Sequence, residues 1–234
     1  MIRSLLVWAC TWLYMIAAGV VSLPTIWITG RLRFTYRAAR FGMRMLLWLG
    51  GVRVEVEGGE VLAGVSVPPI YMANHQSNLD PPILLAHLPG EITFLAKQEL
   101  FKVPNLGTIL RIGGLIPVDR TQRAAAQASI ARAAAVVRAG RPFLIFPEGT
   151  RSRDGQLLPF KKGPFYLAQQ AAVPVVAVRI EGSGRLMPKG GWRIRPGTVK
   201  LCIAAAIEPE EWVGAPQPRD VLAESVRARL TARV

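Results

Sequence analysis

After residue 50 this chain alternates strand-like and helix-like segments. Before residue 50 it carries a long apolar run and then an arginine-striped amphipathic segment. Together these predict an α/β protein: a mixed, largely parallel sheet flanked by helices, with an N-terminal two-helix membrane-docking motif. The boundary divides the chain into a helical hairpin over residues 1–50 and an α/β domain over residues 51–234. With 234 residues, 51% of them hydrophobic, the chain can bury a sizeable core in one large domain and still carry an appendage.

The N-terminal elements come first. No acid occurs in residues 1–54, and no charge of either sign lies between Ser4 and Gly30. The run over 5–28 exceeds the about 20 apolar residues that span a bilayer. Gly19 and Pro24 are expected to interrupt it. Arginine flanks it on both sides, at Arg3 and from Arg31 onward, so the positive-inside rule gives no direction. Arg33, Arg37, Arg40 and Arg44 then form one helical stripe. Phe34, Ala38, Phe41 and Met45 form another, about 100° away. A basic amphipathic helix of this kind lies in a membrane interface, and the pair reads as a hairpin whose arginines meet anionic lipid. A cleaved signal peptide ending near Ala17-Ala18-Gly19 is the competing reading, and it leaves the following helix unexplained.

In the second part, Val52-Arg53-Val54-Glu55-Val56 alternates as a half-buried strand does. Further strand-like runs cover 70–73, 92–96, 114–118, 142–146, 173–180 and 198–203. A helix is expected over 121–139, closed by Gly140, and a shorter one over 163–172. The Gly- and Pro-rich stretch 182–197 reads as a long loop on the active face. In the tail, Leu222, Val226 and Leu230 follow helical spacing and predict a docking helix over 219–233.

Composition narrows the function. A net charge of +14 calls for a polyanionic partner: nucleic acid, anionic lipid or a phosphorylated substrate. The uncharged apolar start argues against nucleic acid. Cys10 and Cys202 suggest neither a disulfide framework nor a metal site, and two histidines without clustered ligands argue against metal catalysis. No Gly-x-Ser-x-Gly elbow supports a serine hydrolase.

Two strand ends carry the candidate chemistry. The run 70–73 leads into Asn74-His75-Gln76-Ser77-Asn78-Leu79-Asp80. Asp80 followed by Pro81 reads as a helix N-cap with proline opening the helix. A carboxylate there can take the proton of one imidazole nitrogen and leave the other as a base. Capping alone, and a packed loop histidine, fit the same residues. His87 has no acidic neighbour and receives no role. The second strand end is Phe146-Pro147-Glu148-Gly149-Thr150-Arg151. It puts a carboxylate, a bare backbone and a guanidinium together where open α/β sheets gather ligands. Taken alone, it also fits a polar turn with a local Glu–Arg pair.

His-x4-Asp followed by Phe-Pro-Glu-Gly-Thr-Arg resembles the glycerolipid acyltransferases, which work on lysophosphatidic acid or glycerol phosphate. Gly114-Leu115-Ile116-Pro117-Val118-Asp119-Arg120 is similar to that family's second block, although Pro117 stands where a bulky apolar residue is usual. Val173-Pro174-Val175-Val176-Ala177-Val178 is similar to its fourth, and Ala96-Lys97-Gln98-Glu99-Leu100 to a further segment. The blocks keep the family's order over roughly residues 50–205. The resemblance implies an α/β catalytic domain behind a two-helix docking hairpin. It also implies His75 as general base, oriented by Asp80, with backbone N–H groups near the His75 loop as oxyanion donors. Lys97, Arg120 and Arg151 would gather at the acceptor phosphate. Gly149 and Thr150 would belong to the binding loop, and Glu148 would hold a glycerol hydroxyl. The implied activity is 1-acylglycerol-3-phosphate O-acylation to phosphatidic acid at the cytoplasmic face of the cell membrane. The donor is acyl-CoA or acyl carrier protein, and no cofactor is needed. A lyso-aminolipid acceptor of the lyso-ornithine type would leave Lys97 and Arg151 without a task. A non-catalytic basic membrane protein would leave the His–Asp pair idle.

Overall fold

In this computed structural model the residues described are 1–29, 33–65, 67–103, 106–119 and 123–232. The chain runs α1 (Ile2–Thr29), α2 (Arg33–Gly50), β1 (Val52–Glu57), β2 (Ile70–Ala73), α3 (Asp80–His87), β3 (Thr93–Lys97), α4 (Leu106–Ile112) and β4 (Ile116–Val118). It continues with α5 (Arg123–Arg138), β5 (Phe143–Ile145), α6 (Lys162–Ala171), β6 (Val175–Glu181), α7 (Ser183–Leu186), β7 (Gly197–Ile207) and α8 (Pro218–Thr231). The strands form one seven-stranded sheet in the order β1-β7-β6-β2-β5-β3-β4. Every pairing is parallel except β6 with β7. The sheet is therefore mixed and largely parallel, as the alternation predicts. Pro117 lies within β4, an edge strand, where a missing N–H is tolerated.

Parallel strands have helices on both faces, so both side-chain sets are apolar. All four residues of β2 are buried. Tyr71 and Ala73 join Leu144, Val176 and Val178 in a core covered by α3 and the N-terminal helices. Ile70 and Met72 join Phe143, Val175 and Ala177 on the other face, with Phe165, Trp212, Leu222, Val226 and Leu230 from α6 to α8. The tail helix buries the three residues its spacing marks.

Helices α1 and α2 form the expected hairpin. Arg3 Nε donates to Leu49 O at 3.0 Å, and Tyr14 Oη donates to Ala38 O at 2.7 Å, so the two run antiparallel. Gly42 makes the close approach: a Cβ there would lie 2.5 Å from the Tyr14 ring. Three expectations change here. Gly19 and Pro24 do not interrupt the first helix, which runs unbroken through both. Arg3 bonds a carbonyl at the end of α2. Arg40 is half-buried, and Arg44, though exposed, also reaches a carbonyl of the domain. Arg40 donates to the carbonyls of Leu85, Leu88 and Gly90, and Arg44 to that of Ala86, where α3 ends. Carbonyls at a helix C-terminus lack intrahelical partners and attract cations, so these two arginines serve the fold. Arg33 and Arg37 remain exposed, beside the outward residues Phe34, Phe41 and Trp48.

The hairpin is also stitched to the domain. Ser4 exchanges hydrogen bonds with Ile194, donating to its carbonyl at 3.3 Å and accepting from its N–H at 3.1 Å. Trp8 Nε1 donates to Trp192 O at 2.8 Å. The rest of α1 is mostly bare, with Leu5, Leu6, Leu13, Val20, Trp27 and Ile28 exposed. Its apolar length is enough to cross a membrane.

Candidate active site

Strands β2, β3, β4, β5 and β6 are parallel, so their carboxyl ends share one edge of the sheet. Beyond β2, Asn74 is held by β6: its amide donates to Ile180 O at 2.9 Å and its Oδ1 accepts the Ile180 N–H at 2.7 Å. His75 follows. Its ring stacks on Phe146, at the end of β5, with centroids 3.9 Å apart and planes 14° from parallel. Its Nδ1 lies 2.8 Å from Asp80 Oδ2.

Asp80 is wholly buried. The same Oδ2 accepts the N–H of Gln76 at 2.7 Å and of Ser77 at 2.8 Å. This corrects the reading of Asp80 as an N-cap. The helix begins at Asp80 with Leu79 in the cap position and without a side-chain cap bond. Pro81 and Pro82 have no N–H to offer, and the Ile83 N–H goes to Leu79 O. The carboxylate therefore turns back onto the His75 loop. It fixes the tautomer in which Nδ1 carries the proton and Nε2 keeps a lone pair. Nε2 has no hydrogen-bond partner among the described residues.

Glu148 is 1% exposed and serves the same loop. Its Oε1 accepts the His75 N–H at 2.7 Å, and its Oε2 accepts the Leu158 N–H at 2.8 Å. Burial pushes its carboxyl above the ordinary value, and the two N–H donors act against that. The glycerol hydroxyl expected on Glu148 therefore meets a carboxylate already engaged with backbone. The Ser152 N–H closes the arrangement on His75 O at 2.7 Å. These contacts narrow the oxyanion expectation: the N–H groups of His75, Gln76, Ser77 and Leu79 have internal acceptors.

The cationic side is less filled. Gly149 has φ +68°, a conformation side chains resist, and a Cβ would lie 3.1 Å from Lys161 Cγ. Arg151 follows two residues later, and its Nη1 is buried without a hydrogen-bond partner among the described residues. Thr150 Oγ1 and Arg151 O both accept from Lys189 Nζ, at 3.2 and 2.8 Å. Lys97 ends β3 with its side chain 68% exposed and its ammonium 3.3 Å from Glu99. Arg120 lies outside the described residues. Sequence reading missed Phe146 as the ring under His75, Glu148 as a clamp on the loop backbone, and Lys189. The only signal for Lys189 was its place in the loop assigned to the active face.

Two apolar cavities are present among the described residues, and the first adjoins the site. One of about 330 Å³ lies beside Phe146 and Gly149 and is lined by Phe94, Val118, Leu144 and Ile130. Another of about 170 Å³ lies between α1, α2 and α4.

The acyltransferase family model matches residues 53–181, and the chain belongs to that family. A chloroplastic 1-acyl-sn-glycerol-3-phosphate acyltransferase from Brassica napus is 37% identical over 152 residues, covering 64% of this chain and 44% of its own length. The chain spans about half the length of the plant relatives it matches. The alpha 1-acyl-sn-glycerol-3-phosphate acyltransferase from Ovis aries is 31% identical over 93% of this chain and 74% of its own length. Among solved structures, the 1-acyl-sn-glycerophosphate (LPA) acyltransferase PlsC from Thermotoga maritima matches with a TM-score of 0.83. It is 27% identical, over 99% of this chain and 97% of that one.

Proposed function

We propose that this member of the acyltransferase family moves a fatty acyl group from acyl-CoA or acyl carrier protein to the free hydroxyl of 1-acylglycerol-3-phosphate, forming phosphatidic acid. The observation that carries the reading is the His75–Asp80 pair at 2.8 Å, with Nε2 unengaged, beside a loop that holds a buried and unpartnered arginine nitrogen. The acceptor is an alcohol, so no nucleophile is required of the protein. His75 Nε2 takes the hydroxyl proton as that oxygen attacks the thioester carbonyl. Buried Asp80 stabilises the imidazolium that forms. The tetrahedral intermediate collapses, the C–S bond breaks, and the imidazolium proton passes to the leaving thiolate. General base catalysis of this kind contributes about 10²–10⁴ in rate. Arg151 and Lys97 receive the acceptor phosphate, and the 330 Å³ cavity beside Phe146 suits an alkyl chain.

In this reading residues 1–50 dock the catalytic domain, 51–234, on anionic lipid at the cytoplasmic face of the cell membrane. The bare apolar surface of α1 and the outward Phe34, Phe41 and Trp48 support it. Purified protein in anionic vesicles should release thiol from acyl-CoA when lysophosphatidic acid is added, with phosphatidic acid appearing by mass spectrometry. Release that is equal with lyso-ornithine lipid, or none with either, would overturn the assignment.

A further inference from the structure

Lys189 occupies a turn, closed by the Gly191 N–H on Pro188 O at 2.8 Å. The loop around it is held at both ends. Buried Met187 offers its carbonyl to Ser77 Oγ at 2.7 Å, and Trp192 and Ile194 are bonded to α1. The Lys189 ammonium is thereby brought to the loop after β5, where it donates to Arg151 O and Thr150 Oγ1. Neither Lys189 nor Arg151 has a carboxylate within 4.0 Å among the described residues. The two acids nearest Arg151 in sequence are both engaged, Asp154 by Ser152 Oγ and the Gln156 N–H, and Glu148 by the His75 and Leu158 N–H groups. A part-buried ammonium on the backbone of an arginine whose own Nη1 is buried and unpartnered leaves positive charge and donors without an anion. A neutral amide would tie the two loops equally well without adding a like charge. An ammonium is explained when an anion completes the site, with the lysine as a point charge and the arginine as a fork.

We infer that Lys189 is a positioning residue for Arg151 and a further cation of the acceptor's phosphate site, beside Arg151 and Lys97, an inference that rests on the acceptor reading above. The test uses the full chain in vesicles, with steady-state kinetics on lysophosphatidic acid, on phosphate-free monoacylglycerol and on acyl-CoA. Lys189→Met should raise KM for lysophosphatidic acid about 10–100-fold, the loss expected for a charged hydrogen bond. KM for acyl-CoA should stay within about 3-fold, and Lys189→Arg should restore most of the loss. Inorganic phosphate should compete with the acceptor in the wild type and lose that effect in Lys189→Met. Should Lys189→Met fail to fold, Lys189→Gln keeps the loop donors, removes the charge and provides the same readouts. Equal losses with both acceptors, or full retention of acceptor preference in Lys189→Gln, would sink the inference. A wild type that does not prefer lysophosphatidic acid to monoacylglycerol would instead sink the acceptor reading.

Discussion

His75 and Arg151 follow neighbouring parallel strands, but the protein treats them in opposite ways. Around His75 the carboxylates are heavily engaged: Asp80 Oδ2 takes three donors and Glu148 takes two. Around Arg151, among the described residues, a buried donor has no internal partner and the neighbouring lysine bonds neutral oxygens. The difference follows from what each side must do. A base has to be oriented before the substrate arrives, because proton transfer depends on geometry. A binding cation must keep donors open, because the substrate is its partner.

His75→Ala should lower kcat by at least about 10² with the protein still folded, and near-normal turnover would end the base assignment. Asp80→Asn should fall by a comparable or smaller factor. It can keep the backbone bonds on Oδ2, but it puts an amide where Oδ1 has no partner among the described residues. The double variant should be little worse than the worse single, because the pair acts as a unit.

On the open side, Arg151→Ala should cut kcat/KM for the phosphorylated acceptor by about 10–100-fold while sparing donor binding. Lys97→Ala should do less, since its ammonium is largely exposed and already faces Glu99. Equal losses on a phosphate-free acceptor would move both residues out of the phosphate site.

Glu148→Ala gives a different signature. It orphans the N–H groups of His75 and Leu158, each at a cost of about 1–3 kcal/mol, so Tm and kcat should fall together. A large loss of acceptor affinity at unchanged Tm would restore the hydroxyl-binding role instead.

The smallest effects divide the arginines of α2. Arg33→Ala with Arg37→Ala should weaken binding to anionic vesicles by about 1 kcal/mol per charge, more weakly at high salt, and leave Tm alone. Arg40→Ala with Arg44→Ala should lower Tm, because the carbonyls at the end of α3 lose their donors. Equal Tm losses from both pairs would erase the distinction.

How much of this was legible in the sequence varies with the range of the interaction. The helix of Leu222, Val226 and Leu230 reads directly, because periodicity alone marks its buried face. The arginine stripe of α2 reads only in part. Helical spacing puts Arg33 and Arg44 on one side, but it does not reveal that α3 ends beneath Arg40 and Arg44. The continuity of α1 through Pro24 was missed for a related reason: local propensity marks proline as a breaker, and tertiary packing overrides propensity.

The site divides along the same line. The layered α/β fold, the His75–Asp80 pair and the loop that carries Arg151 follow from the amino-acid order, because they depend on residue types at short spacings and on strand alternation. Long-range packing sets the rest: Asp80 faces backward instead of capping α3, Glu148 clamps His75 from 73 residues away, and Lys189 reaches Arg151 from the loop after α7. Those contacts join chain segments brought together by a parallel sheet. Their partners are backbone N–H and C=O groups, which every residue carries, so no side-chain pattern marks them.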